Sequence, residues 1–439
     1  MMNIFKSFVV KMLTWEARLV LKKYKPFIVA VTGSVGKTGT KDAIYHVLKN
    51  TTTVRKSQKS FNSELGLPLT ILGLENAWKN PFVWGVNILK GFAQIIFPCS
   101  YPKLLVLEIG ADHPGDIKRV TQWMKPDIAV LTRLPERPVH VEYFSSPKEV
   151  QKEKAELVRA LGEHGVFVAN GDDAIVVGLN SATRARMLTY GFGDTTQVHG
   201  SYPKINYEEV SGRKVPIGMT FFVEWQGNSI PVRLNGVLGM HPCMAALAAL
   251  AVGTARGVSL VQMAESLAML ATPPGRMRII AGKNESIIID DSYNSSPVAV
   301  EAALETLKEM EGSRKIAILG DMLELGEYSD EEHLHIGEHA GKFVDELIVV
   351  GKRATGIALG AVKAGMSELH ITQFENSLEA GEWLAQNLQK GDIILAKGSQ
   401  GSGENMIRME RVVKALMASP DEAKKLLVRQ EKEWLAQYE

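Results

Sequence analysis

The run Val31-Thr32-Gly33-Ser34-Val35-Gly36-Lys37-Thr38 holds the residue types that bind a polyphosphate. Its glycines allow backbone N–H groups to face phosphate oxygens at the start of a helix, where the dipole favours negative charge. Lys37 would reach the outer phosphates and the Thr38 hydroxyl would hold a Mg²⁺. Val31 stands where the general P-loop pattern has its first glycine, so only the shorter form of the motif survives. By itself, such a Gly-Lys-Thr also occurs in ordinary strand-to-helix turns. A second candidate is Glu108, which ends the apolar run 104–107. A buried parallel strand delivers a carboxylate to its C-terminal edge in this way, where open α/β sheets place their ligands. Glu108 is therefore a candidate Mg²⁺ ligand, directly or through water. Lys152 and Lys154 fall on a predicted helix, where lysines are ordinarily solvated.

These residues need elements to position them. Apolar residues 27–31 predict a strand, and a helix follows over about 37–48. Residues 52–55 predict a short strand, and 59–68 a polar loop containing Asn62. Residues 128–131 form the next strand, a loop with His140 follows, and 147–161 read as a helix. Residues 165–169 add a strand, and Asn170-Gly171-Asp172-Asp173 a turn and helix cap. Short alternating runs over 196–236 predict a small antiparallel sheet. Residues 245–252 belong to a helix of small side chains that can pack closely. Past Pro273-Pro274-Gly275-Arg276 the strand–helix alternation restarts, with strands at 287–289, 315–319, 346–350 and 392–396. Residues 420–439 predict a charged terminal helix. The fold expected is α/β: a P-loop parallel-sheet ATPase domain with a small antiparallel subdomain, then a Rossmann-like C-terminal domain. The expected segments are 1–25, 26–273 and 274–439.

Composition narrows the classes. The 439 residues are enough for about three domains of roughly 150 residues. Lys plus Arg number 50 and Asp plus Glu 49, so no net field draws the chain to nucleic acid. Cys99 and Cys243 provide neither a disulfide framework nor zinc spacing, which points to a reducing, cytoplasmic setting. No run reaches the ~18 apolar residues of a spanning helix. Lys6 and Lys11 interrupt the apolar run that a signal peptide would need. Residues 1–23 instead read as a basic amphipathic helix, either lying on a membrane surface or packed on the nucleotide domain. Residues 76–100 are a second amphipathic stretch, which could share a core or a membrane-facing patch with the first.

The stretches VTGSVGKT, KSFNSELGLPLTIL, LEIGADHPGDI, VANGDD, PPGR, IIDDSYNSSP, AILGDMLELG and AKGSQ resemble the Mur ligase family. They run in family order from about residue 26 to 415, and DDSYN and GDMLELG point to the MurF-type branch. The resemblance implies an ATP- and Mg²⁺-dependent ligase that activates a carboxylate as an acyl phosphate, which an amine then attacks. It implies a muramoyl-peptide precursor and a D-Ala-D-Ala-like amine as partners; a monomer is expected, in the cytoplasm or, through residues 1–23, at the inner membrane surface. Gly33, Ser34, Val35, Gly36, Lys37 and Thr38 would bind ATP, with Arg276, Asp291 and Asn294 and with Tyr293 in the same motif. Thr38 and Glu108 would hold one Mg²⁺; a carbamoylated Lys154 and His140 would hold a second. Lys37, Lys154, Arg276 and His140 would form the catalytic set. Asn62 would lie in the acceptor-peptide loop, Asp321 and Glu324 in a substrate-facing loop, and Lys397 and Ser399 at the site of the incoming amine.

The chain also departs from the family pattern. Only about 25 residues precede the first strand, so the usual UDP-gripping N-terminal domain is not expected. The usual His-Asn adenine motif reads His241-Pro242-Cys243, with Ala245 at a second Asn position. The usual Thr-Asn pair reads Thr132-Arg133, and residues 401–405 read as an insertion. Two other readings stay open. One is a folylpolyglutamate-type or other amino-acid ligase, which DDSYN and GDMLELG oppose. The other is a non-catalytic nucleotide-binding protein, which intact Lys37, Thr38, Glu108, Lys154 and Arg276 oppose. A lipid-linked acceptor reached through the basic N-terminal helix is a further variant.

Overall fold

The computed structural model describes residues 2–58, 64–77, 80–138, 140–210, 212–271, 273–312, 314–401 and 407–435. Two compact units divide the chain: Met1–Tyr202 with Phe222–Val232 and Met244–Leu270, and Pro203–Phe221 with Arg233–Cys243 and Ala271–Glu439.

The chain begins with α1 (Met2–Tyr24), β1 (Phe27–Thr32), α2 (Lys37–Leu48), β2 (Val54–Lys56), α3 (Gly66–Leu72), α4 (Pro81–Ile96) and β3 (Leu104–Glu108). It continues with α5 (Asp116–Thr121), β4 (Ile128–Leu131), α6 (Pro147–Arg159), β5 (Val166–Asn170), α7 (Ala174–Gly178) and β6 (Arg186–Gly191). The strands β7 (Val198–Val210), β8 (Arg213–Trp225) and β9 (Asn228–Asn235) precede α8 (Met240–Ala255) and α9 (Leu260–Ala268). Strand order is β2-β3-β1-β4-β5-β6-β7-β8-β9, with parallel pairing from β2 through β6. The β7–β9 run therefore extends the main sheet, joined at Tyr190↔Val198 and Gly191↔His199, and is no separate sheet.

β1 and β3 are apolar along both faces because helices cover both sides of a parallel sheet. The parallel register sets Val31 opposite Glu108 and Thr32 opposite Leu131, so the chain leaves β1 toward Gly33 beside the end of β3. α1 turns Val9, Leu13, Ala17 and Val20 into the same core as Ile28, Leu67, Leu72 and Leu105. Burying each of the larger of these side chains contributes about 1.5–3 kcal/mol. Much of the apolar stripe of α1 is thus spent on packing, as the packed-helix alternative expects, while Phe8 and Trp15 stay exposed. Small residues bring α8 close to its neighbours: a Cβ on Gly253 would meet Met263 Sδ at 2.0 Å and Val47 at 3.0 Å.

The rest of the chain forms β10 (Arg278–Ala281), β11 (Ile287–Asp291), α10 (Pro297–Glu309), β12 (Lys315–Gly320), α11 (Ser329–Ala340), β13 (Glu346–Val350), α12 (Thr355–Lys363) and β14 (Ile371–Phe374). α13 (Ser377–Asn387), β15 (Ile393–Lys397), α14 (Glu410–Leu416), α15 (Ala423–Leu426) and α16 (Lys432–Leu435) complete it. Sheet order is β10-β11-β15-β12-β13-β14, with only β10 antiparallel. The sequence reading lacks β10 and β14, four-residue strands too short to show a period. The single helix expected over 420–439 is corrected to short pieces. Leu427, the C-cap of α15, is already extended, and Arg429, with φ 56 and buried against Glu410, keeps the chain non-helical before α16.

Candidate active site

The turn after β1 binds itself tightly. A Cβ on Gly33 would sit 1.9 Å from Thr132 Oγ1, so only glycine fits there. Ser34 N–H donates to Arg133 O at 2.8 Å. Gly36, the N-cap of α2, has φ 85 in the left-handed region, and no side chain caps the first turn. The N–H groups that a helix N-terminus presents are therefore turned to the loop. Ser34 Oγ is buried without a hydrogen-bond partner among the described residues, as a polar lining for an anion requires.

Four side chains converge on this turn. Lys37 Nζ donates to Gly33 O at 2.9 Å, and Lys154 Nζ donates to the same oxygen at 3.2 Å. The Thr38 hydroxyl donates to Glu108 Oε1 at 3.1 Å. Glu108 is buried, and its backbone N–H donates to Ser57 Oγ. The sequence reading overlooks Lys41, one helical turn after Lys37. It is fully buried, 3.8 Å from Glu108 Oε2 and 3.4 Å from Asp42 Oδ1. Its spacing from Lys37 was the available signal.

Lys154 is not the solvated lysine that its helix suggests; Lys152 is, exposed and paired with Glu149. Burial and, next, the Lys37 charge lower the Lys154 amine to about 7, opposed by Asp112 and Glu153. Glu153 fixes the helix: its carboxylate accepts from the N–H groups of Gly115, Ile117 and Lys118 at the start of α5. His140, with φ 69, sets Nε2 3.9 Å from Asp112 Oδ1. Asp112 thereby relates His140 to Lys154, a role invisible without the fold. Asn62 lies outside the described residues, as do positions 402–406 of the insertion.

The second unit assembles its own set. Sheet register places Asp291 directly opposite Lys397. Lys397 Nζ donates to Asp291 Oδ2 and to Asn294 O, and both charged groups are buried. Asp291 Oδ1 also accepts from Met277 N–H, and Asp290 accepts from Gly275 N–H, tying the Gly275-Arg276 turn to the end of β11. Burial pushes the Asp290 carboxyl up to about 6, against the hydrogen bonds it accepts. The Arg276 guanidinium lies 4.0 Å over the Tyr293 ring, and Arg429 lies 5.1 Å from the same ring. The side chain of Asn294 is exposed.

Asp321 and Ser399 are occupied by their own loop. Asp321 Oδ1 accepts from Ala354 N–H at 2.7 Å, and burial raises its carboxyl. Ser399 Oγ accepts from Leu323 N–H and donates to Ser295 O. His333 Nε2 accepts from Met322 N–H, supporting the same loop, and burial lowers that imidazole. Glu324, with φ 65, is half-buried at its end.

A parallel sheet whose first strand opens into a glycine turn, a Lys-Thr helix start and a carboxylate from the next strand defines a P-loop nucleotide-binding protein. Family comparison gives the particular family. Residues 31–253 match the Mur ligase middle domain, and residues 275–400 match the Mur ligase glutamate ligase domain. The chain belongs to the Mur ligase family. It is 31% identical over 409 residues to UDP-N-acetylmuramoyl-tripeptide–D-alanyl-D-alanine ligase of Bacillus subtilis, covering 92% of this chain and 79% of that one. The enzyme of the same name from Escherichia coli is 28% identical over 390 residues, covering 89% and 76%. MurF ligase from Thermotoga maritima, solved in complex with ADP, superposes with a TM-score of 0.74 at 26% identity, covering 95% of this chain and 84% of that one.

Proposed function

We propose that this protein is an ATP-dependent amide ligase that joins D-alanyl-D-alanine to a muramoyl-tripeptide precursor through an acyl phosphate. The observation that carries the reading is the meeting of Lys37 and Lys154 on the Gly33 carbonyl, beside the Thr38–Glu108 pair. A carboxylate is a poor electrophile. Its oxygen attacks the γ-phosphorus of ATP, and the bond to the ADP oxygen breaks. The amine nitrogen then attacks the acyl carbon, loses a proton, and phosphate leaves. Positioning and charge neutralisation do most of this work. Lys37 and the N–H groups at Gly33–Gly36 would offset the charge on the transferred phosphoryl group.

Mg²⁺ takes one or two carboxylates with phosphate oxygens and waters, a requirement that Thr38 and Glu108 side by side fit. Bound there, it would neutralise phosphate charge. Among the described residues no three His, Cys, Asp or Glu side chains group as a metal site. A second ion near Lys154 and His140 therefore needs a further anionic donor. Carbamoylation of Lys154 provides one: the neutral amine adds CO₂ and releases a proton. Burial, which favours the neutral amine, supports this assignment. In the second unit, Arg276 and Asn294 are the groups we assign to the nucleotide, with Asp291 as the fixed base of that turn. Glu324 and Lys397 belong to the amine region, and Asp321 and Ser399 shape their loop.

The test is phosphate release from ATP, which should require both a muramoyl tripeptide and D-alanyl-D-alanine. Lys37→Ala should lower that rate at least ~10³-fold. Turnover indifferent to either substrate, or to Lys37, would overturn the reading.

A further inference from the structure

α4 carries apolar side chains on both its inward and its outward side. Toward the core it turns Trp84, Asn87 and Gly91, all buried. The Asn87 amide donates to Glu75 O at 2.9 Å, and the Gln94 amide donates to Leu72 O at 2.7 Å. Toward water it turns Phe82, Leu89, Phe92 and Ile96, at helical spacing; Phe82 is 84% exposed and Leu89 71%. α1 continues this surface. Its Trp15 ring stacks on Phe92 with centroids 6.3 Å apart, and Phe8 stands exposed two turns earlier. A soluble surface rarely leaves such a contiguous apolar patch without a partner.

The exposed charges of α1 and α4 have one sign. Lys6, Lys11, Arg18 and Lys22 of α1 and Lys90 of α4 are exposed. Residues 81–101 contain no acidic residue, and the sole acid of α1, Glu16, is buried against Gly91. Lys23 is tied down, its ammonium donating to the carbonyls of Gln94, Ile95 and Phe97 and joining the ends of the two helices. Aromatic and aliphatic side chains on two helices whose exposed charges are all cationic match the boundary between headgroups and acyl chains of an anionic bilayer. No helix among the described residues is long and apolar enough to cross a membrane, so the pair would lie on the surface. A second copy fits worse, because pairing this face with itself would set lysines against lysines.

We propose that the outward face of α4, with the exposed cations of α1 around it, docks this protein on an anionic lipid bilayer. The contact differs from the one expected of residues 1–23 alone, because α4 supplies Phe82, Leu89, Phe92 and Ile96 while Val9, Leu13, Ala17 and Val20 of α1 are buried. It is independent of the ligase reading, because binding is measured without nucleotide or substrate.

The experiment is flotation of the full chain with vesicles of phosphatidylcholine alone or mixed equally with phosphatidylglycerol, and size-exclusion chromatography of the same samples. The protein should float with the anionic vesicles and at least about tenfold less with the neutral ones. Phe82→Ser with Leu89→Ser should cut binding at least about tenfold, as should Lys11→Glu with Lys90→Glu. All four sites are exposed, and unchanged circular dichroism will show that the variants fold. Failure to float with anionic vesicles overturns the proposal, as does undiminished binding by the Phe82/Leu89 variant. A dimer that this variant converts to monomer also overturns it, by making a second copy the occupant.

Discussion

Lys154 and Lys397 are buried to nearly the same degree, 1% and 2% exposed, yet the two units hold them in opposite ways. Lys397 faces a carboxylate across adjacent parallel strands and adds a backbone carbonyl. Lys154 has a backbone carbonyl that a second lysine shares, and among the described residues no carboxylate lies within ion-pair distance of it. One lysine is an ion-paired strut at the base of a loop. The other is an amine whose charged form the site opposes, which makes it available for reaction. Burial alone does not predict what a lysine does; its neighbours decide.

The largest effect should come from breaking the strut. Lys397→Met would leave the Asp291 carboxylate buried without its cation and should cost about 3–5 kcal/mol in urea denaturation. Adding Asp291→Asn should recover most of that loss. Lys154→Met should behave in the reverse manner, lowering ligation at least ~100-fold, about 3 kcal/mol of barrier, with an unchanged or higher urea midpoint. Equal destabilisation by the two methionine variants would break the comparison. The pH dependence sharpens it. Above a folded pKa of about 7, native Lys154 has shed a proton that the unfolded chain still binds. In CO₂-free buffer, stability should therefore rise between pH about 7 and about 10, and Lys154→Met should lack that increment.

Glu16 extends the contrast to an acid and should give the smallest change. Its carboxyl has no hydrogen-bond partner among the described residues, and burial raises it to about 7. The folded state then keeps a proton that the unfolded state releases, so stability falls as pH rises from about 4.5 to about 7. Glu16→Gln should remove that slope and gain about 2 kcal/mol at pH about 8, read from thermal melts. A parallel pair of pH profiles for wild type and variant would refute it.

The phosphate turn, Glu108 at a strand end and the helix of Lys154 were legible because each rests on local pattern: glycines, an apolar run, helical spacing. Lys41, Asp112, Glu153 and Arg429 were not. Each acts on a group brought near by another element: Lys41 on Glu108, Asp112 on His140, Glu153 on the start of α5, Arg429 on Glu410 and Tyr293. The orientation of α4 was also undetermined. Its composition shows an amphipathic helix, and only the fold reveals that Asn87 and Gln94 turn inward beside Trp84 while Phe82 and Leu89 face water.

By itself, the sequence determined which backbone could turn at Gly33 and Gly36 and which strands were apolar enough to be buried. These depend on steric freedom and hydrophobic period, properties of neighbouring residues along the chain. Tertiary structure alone decided that Lys41 is buried beside Glu108, which carboxylate meets Lys397, and which face of α4 meets water. Those depend on strand register and on desolvation by distant residues, which exist only once the chain has folded.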